Sequence, residues 1–201
     1  AEHVLGFPIE VIAGVEEARL IYIGVAHGMP QSDENLLVMD IGGGSTEFII
    51  GNGLKPIMME SLYMGCVSYS SRYFPDGQIT KRKLESAELA ARNELQTIIS
   101  DYQGLWQNAV GSSGTAKAIA EILESNGYSE GGITREGLEK LRTRLLKDGD
   151  VNKLDLQGLR PDRLASLAGG FAIMYAAFSE LQITTMQPAI SALREGVLYD
   201  L

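Results

Sequence analysis

The stretch Leu36–Ile50, LLVMDIGGGSTEFII, decides how this 201-residue chain is read. Leu36 to Ile41 is a nearly unbroken apolar run that three glycines stop, and Thr46 to Ile50 resumes it, the pattern of two strands joined by a tight turn. Asn52-Gly53 is a hairpin signal, and Pro56 to Leu62 supplies a third strand. The three make an antiparallel meander.

Upstream of it, Phe7 to Ile12 (FPIEVI) reads as a short strand and Ala13-Gly14 as a turn. Glu16 to His27 reads as a helix whose first-turn acids suit the helix dipole, and Met29 to Asn35 is a polar loop. Downstream the period changes. Leu84, Ala87, Ala91, Leu95, Ile98 and Tyr102 share one face of a helix from Thr80 to Tyr102, with Thr80 as N-cap and Ile79 with Leu84 as a hydrophobic staple. Trp106 to Val110 is a short strand running into Gly111-Ser112-Ser113-Gly114, and a helix follows from Thr115 to Leu123. A second staple, Ile133 with Leu138 around Thr134, starts a helix to about Leu146. Pro161 suits the first turn of a further helix with Leu164, Leu167, Phe171, Met174, Phe178 and Leu181 on its apolar face. A strand near Ile183 to Gln187 and a helix from Ala192 complete the order. A meander followed by alternating helices and strands predicts an α/β domain, a central mixed sheet with packed helices.

Composition sets the outer bounds. Hydrophobic residues are 45% and charged residues 21% of the chain, which excludes disorder and fibrous classes. Seventeen Lys and Arg against 26 Asp and Glu give a net charge of −9, so no general attraction to nucleic acid or to an anionic membrane is expected, and an anionic ligand needs a local site. One cysteine, Cys66, permits no internal disulfide and fits a reducing compartment. The charge-free run Leu164–Ser179 is shorter than a membrane span, and no secretory signal opens the chain, so a cytoplasmic protein is expected. The start at Ala1 suggests a piece of something longer.

Three constellations carry possible chemistry. In Asp40-Ile41-Gly42-Gly43-Gly44-Ser45-Thr46-Glu47 a carboxylate stands on each side of a glycine turn. Glycines cost backbone entropy and offer a core nothing, but they allow close approach, so that N–H groups can converge on phosphate with the Ser45 and Thr46 hydroxyls as further donors. Asp40 and Glu47 are then placed to hold a hydrated Mg²⁺. The plainer reading is a glycine-rich hairpin with two solvated acids. Gly111-Ser112-Ser113-Gly114-Thr115 is a strand–loop–helix junction, suited to an anion or simply a capped turn. Glu16-Glu17-Ala18-Arg19 is a third candidate, or a solvated helix start. Other residues take structural readings: Cys66 as a packed thiol, His3 and His27 without a metal pattern, Gly169-Gly170 as a site of close helix packing, and Tyr63, Tyr69, Tyr73 and Phe74 as core and rim.

DIGGGSTE after a strand, followed by GSSGT, resembles the phosphate and adenosine motifs of the actin, sugar-kinase and heat-shock-chaperone ATPase superfamily. The blocks GVEEARLIYIGVAH, LVMDIGGGSTEFIIG, MGCVSYSSRYF, VGSSGTAKA and ALREGVLYD resemble, in order and spacing, the exopolyphosphatase/guanosine pentaphosphate phosphatase (Ppx/GppA) family. The family's D-x-G-S-N-S loop and its C-terminal helical domain have no counterpart here. Ser112 stands where the family usually has Ala, and Ser191 where it often has Gly. The resemblance implies a ribonuclease-H-like second lobe over residues 31–201, with residues 1–30 as the end of the first lobe and a crossing helix. It implies Mg²⁺-assisted hydrolysis of the terminal phosphoanhydride of inorganic polyphosphate or guanosine pentaphosphate, completed by an N-terminal lobe, with a homodimer fitting the family. Glu17 matches the catalytic glutamate, Asp40 and Glu47 the metal-side acids, and Gly42, Gly43, Gly44, Ser45 and Thr46 the phosphate cradle, with Gly111, Ser112, Ser113, Gly114 and Thr115 as the second phosphate loop. Arg19 fits a structural salt bridge better than a phosphate contact. A nucleotide-binding ATPase or sugar-kinase lobe, or a non-catalytic phosphate or nucleotide sensor, are the alternatives; a sensor needs no base beside the cradle.

Overall fold

A computed structural model of the protein describes residues 4, 6–9, 11–30 and 32–201. His3, Glu10 and Gln31, on which parts of the sequence reading fall, lie outside them. β1 (Asn35–Ile41), β2 (Thr46–Asn52) and β3 (Lys55–Leu62) form the expected antiparallel meander. Gly53, at φ 53°, supplies the left-handed turn between β2 and β3. β4 (Asn108–Ser112) runs parallel to β1, β6 (Thr185–Pro188) parallel to β4, and the two-residue β5 (Ile133–Thr134) antiparallel to β6. The sheet order is β3-β2-β1-β4-β6-β5, a mixed sheet as the sequence pattern implies.

Alternation along the strands sorts the interior into two layers. Leu37, Met39, Ile41, Phe48 and Ile50 face the larger one, built with α2 (Cys66–Tyr73), α3 (Lys81–Tyr102), α4 (Ser113–Ser125), α5 (Arg135–Asp148) and α6 (Leu164–Glu180). Val38, Ile49 and Val110 point the other way, onto Ala18, Ile21, Tyr22 and Val25 of α1 (Gly14–His27). Successive strand residues point to opposite faces and both faces are covered, so the middles of β1 and β2 are apolar throughout, each fully buried Val, Ile, Leu or Phe contributing about 1.5–3 kcal/mol of transfer free energy. Thr80 and Thr134 cap α3 and α5 as expected, accepting hydrogen bonds from the Lys83 and Gly137 amides. Gly169 and Gly170 do allow close packing: a Cβ on Gly169 would lie 2.5 Å from Cys66 O on α2, and one on Gly170 2.6 Å from Thr115 Cγ2. Cys66 is buried, as are Tyr69 and Phe74, while Tyr63 is exposed. Pro161 opens a short 3₁₀ turn, Pro161–Arg163, before α6.

α7 (Leu193–Tyr199) closes over the outer side of α1. A Cβ on Gly24 would lie 2.0 Å from Ala192 O, and one on Gly196 1.8 Å from Leu20 O, so both positions require glycine. Ser191 donates to Gly24 O at 2.7 Å, which gives that residue a role in the α1–α7 contact.

One expectation is corrected. The described part of Phe7–Ile12 forms no strand, and Phe7 and Val11 are largely exposed. An alternating apolar pattern becomes a strand only within a sheet, and the six-stranded sheet is built from other segments. Among the described residues, no helix is long and apolar enough to cross a membrane.

Candidate active site

Registers place four polar residues in one row across the sheet. Ser61 of β3 lies opposite Glu47 of β2, Glu47 opposite Asp40 of β1, and Asp40 beside Ser112 of β4. The next row down on the same face is Met59, Ile49, Val38 and Val110, and it is apolar. The polar row therefore sits at the end of the α1-facing layer, where the helix begins and no longer covers the sheet with apolar side chains.

Both carboxylates of the row are buried, Asp40 at 7% and Glu47 at 1% exposure, which excludes a hairpin with two solvated acids. Ser112 Oγ donates to Asp40 Oδ2, and Ser61 Oγ donates to Glu47 Oε1 at 2.8 Å. Burial pushes both acids above the usual carboxylate range; the hydrogen bonds from Ser112 to Asp40 and from Ser61 to Glu47 oppose the shift. The negative charge of Glu17 adds to it at both residues. Glu17 stands on the first turn of α1 beside Asp40, and its carboxylate has no hydrogen-bond or ion-pair partner among the described residues. Glu17 and Asp40, selected from two separate motifs, thus line one cavity, with Glu47 beside Asp40 in the sheet.

The glycine turn packs against the start of α2 through its carbonyl groups. Gly42 O accepts from Cys66 N, and Gly43 O from Val67 N and Ser68 N, so the start of α2 occupies the carbonyls. The Gly42 N–H is used within the turn, donated to Ser45 O, whereas those of Gly43 and Gly44 donate to no group among the described residues. A Cβ on Gly44 would meet nothing within 4 Å, and neither Gly43 nor Gly44 has a positive φ. The fold itself does not need glycine at Gly44, where space is left open. Thr46 is a correction. Its side chain lies on the opposite face of β2, fully buried, and its hydroxyl donates to Met64 O, because β2 alternates and Glu47 takes the site-facing position.

The second loop is stitched to the first. Ser113 Oγ and Thr115 Oγ1 both donate to Ile41 O at 3.0 Å, so their hydroxyls, like that of Ser112, are already committed, and what the loop offers an anion is backbone N–H at the start of α4. Ser113 sits at φ 70°, a left-handed conformation that costs a non-glycine residue on the order of 1–3 kcal/mol. Gly114 lies under Arg163: a Cβ there would come within 2.4 Å of the guanidinium. Between this loop and α7 opens a cavity of about 480 Å³ whose lining includes Glu17, Asp40, Lys117, Arg160, Arg163 and Arg194. Those four cations were not among the sequence candidates. Lys117 was legible, one helical turn after Ser113; Arg160 and Arg163 arrive from a distant 3₁₀ turn that only the fold brings near.

Arg19 is turned away from the cavity, bidentate to Asp200 (2.8 and 2.7 Å) and to Glu16 (2.9 and 2.7 Å), in line with the structural salt bridge. His27 stacks on Tyr199 at 4.0 Å. Among the described residues, no three His, Cys, Asp or Glu side chains are arranged to enclose a metal ion.

A profile of the Ppx/GppA phosphatase family matches residues 1–201. The chain belongs to the Ppx/GppA phosphatase family. A Haemophilus influenzae protein provisionally named an exopolyphosphatase is 41% identical over 202 residues, covering all of this chain but 62% of that relative. The chain thus spans less than two thirds of that family member. Among solved structures, the Aquifex aeolicus Ppx/GppA enzyme superposes with a TM-score of 0.80 at 24% identity, over 100% of this chain and 68% of that one. An exopolyphosphatase from Cytophaga hutchinsonii superposes at 0.81 and 23% identity, over 98% and 66%. These likenesses establish the fold as the mixed α/β fold of Ppx/GppA proteins.

Proposed function

We propose that this chain is the second lobe of a phosphatase that hydrolyses the terminal phosphoanhydride of inorganic polyphosphate or guanosine pentaphosphate. The observation that carries the reading is the meeting of Glu17, Asp40 and Glu47 beside a glycine turn with unengaged N–H groups. Family membership supports the reaction class, and the 62% span of the relative is consistent with one lobe of a longer protein, with residues 1–30 read as the end of the first lobe and a crossing helix. The N-terminal lobe supplies the other half of the phosphate cradle, and the 201-residue chain by itself does not turn over substrate.

The donor set fits Mg²⁺. Asp40 and Glu47 are buried, adjacent and, among the described residues, without a Lys or Arg at ion-pair distance, and a buried carboxylate pair calls for a cation. With only two such ligands the ion keeps much of its water, as Mg²⁺ does. When bound, it supplies charge neutralisation to the transferring phosphoryl group. The Gly43 and Gly44 N–H groups bind the terminal phosphate, joined by the N–H groups at the start of α4. Lys117, Arg160, Arg163 and Arg194 accept the remainder of a polyanionic substrate along the cavity, which explains how a chain of net charge −9 takes an anion. Glu17, free of other partners, orients the attacking water and accepts its proton, the role of a general base.

The test is phosphate release from each substrate by the full-length protein and its Glu17→Gln variant. Loss of a positioned base lowers kcat by about 10²–10⁴. Equal turnover at saturating substrate and Mg²⁺ removes Glu17 from the mechanism, and negligible turnover by the wild type favours the sensor.

A further inference from the structure

The first turn of α1 bears Glu17, yet its own sequence holds it poorly. Ala13 at the N-cap offers no side chain to the exposed amides, and the Glu16 and Glu17 N–H groups share a single acceptor, Ala13 O. The first helical residue, Gly14, packs closely on β3, where a Cβ would lie 2.6 Å from Ser61 Oγ, but this contact offers the amides no acceptor. A charged tie is added by Arg19, two residues after Glu17. The Arg19 guanidinium grips Glu16 in the same turn with one edge and Asp200, just past α7, with the other. Glu16 and Asp200 both lie below the usual carboxylate range because Arg19 donates to them. The same two helices are in backbone contact at Gly24 and Gly196.

We propose that Arg19 is a positioning residue for Glu17: by locking the first turn of α1 to the end of α7, it holds the Glu17 carboxylate over Asp40 and Glu47. Arg19 does not line the cavity, and its donors on both edges are committed, so it acts through the helix and not on phosphate. The planar fork is what the geometry uses, and lysine cannot supply it. The inference rests on the reading of Glu17 as the base.

The experiment compares Arg19→Met, Arg19→Lys, Asp200→Ala and the double variant Arg19→Met/Asp200→Ala in the full-length protein, with Glu17→Gln alongside. Misplacing a reacting group by about 1 Å can cost on the order of 10²-fold, so Arg19→Met is expected to lose roughly ten- to a hundredfold in kcat with KM unchanged. Asp200→Ala shifts kcat the same way but less, because Glu16 remains, Arg19→Lys falls between, and the double variant is no worse than Arg19→Met. A raised KM in Arg19→Met with normal Asp200→Ala marks a phosphate contact, and a lowered melting temperature with normal kcat marks a merely structural bridge; either overturns the proposal. Amide hydrogen exchange across Gly14–Leu20 is the readout independent of turnover. It is expected to quicken in Arg19→Met and Asp200→Ala but not in Glu17→Gln, and unchanged exchange overturns the proposal even if no phosphate release is found. Failure of the Glu17 reading shows instead as normal kcat in Glu17→Gln.

Discussion

Gly44 has open space where a side chain would begin, and its backbone lies outside the region that only glycine tolerates. Replacing it by alanine removes freedom from the unfolded chain, so Gly44→Ala is expected to leave the melting temperature unchanged or raise it slightly. The methyl group would nonetheless stand in the path of an approaching phosphate. A hydrogen bond to a charged group is worth about 1.5–3 kcal/mol, and weakening one or two should raise KM for polyphosphate about tenfold or more. A stable variant with an unchanged KM would show that the turn is not the cradle. Ser61 presents the opposite balance. Ser61→Ala leaves Glu47 buried without one of its donors, a loss of about 1–3 kcal/mol at neutral pH. The penalty should shrink at about pH 5, where Glu47, already raised above the usual range, takes up a proton more readily. Urea denaturation at the two pH values measures the difference.

Among elements, α1 and α7 show what sequence pattern can and cannot convey. The meander was legible because alternation and the Asn52-Gly53 turn both act over a few residues, and α3 and α5 because their staples and caps are local. Phe7–Ile12 misled for the same reason: its alternation is real, but pairing depends on an edge that local pattern cannot see. The polar row was half legible. Asp40 and Glu47 flank an obvious turn, whereas Ser61 joins them only through the β2–β3 register, which shifts between Ile50 and Gly51. Thr46 looked like a donor until alternation in β2 turned it to the other face. Gly24 and Gly196 carried no signal, since their requirement comes entirely from the helix crossing. Gly196→Ala would press a methyl group into Leu20 O, so it should cost about 1–3 kcal/mol or more by overpacking. Thermal denaturation of Gly196→Ala checks the magnitude, and a melting temperature equal to wild type would mean that α1 and α7 separate freely.

For the molecule as a whole, the charge cluster predicts a linkage between pH, cation and stability. The folded-state pKa values of Asp40 and Glu47 are raised by burial and by Glu17. A raised carboxylate binds its proton more tightly folded than unfolded, so its contribution to stability is full below the ordinary carboxylate range and is lost as pH rises through the folded value. Glu16, Asp76, Glu136, Asp150, Glu195 and Asp200 are lowered instead and act in the opposite sense, losing their stabilisation as pH falls. The contribution of the pair is therefore read as the difference between wild type and Asp40→Asn/Glu47→Gln, and that difference should favour wild type least at about pH 8 without divalent cations. Adding Mg²⁺ should restore it, because a cation binds the ionised pair and must displace its protons at low pH. The expected result is a rise in wild-type melting temperature with Mg²⁺ that is large at about pH 8, small at about pH 5 and absent in the double variant. A shift of equal size at both pH values, or one that survives in Asp40→Asn/Glu47→Gln, would place the cation elsewhere and leave the buried pair to be neutralised by protons alone.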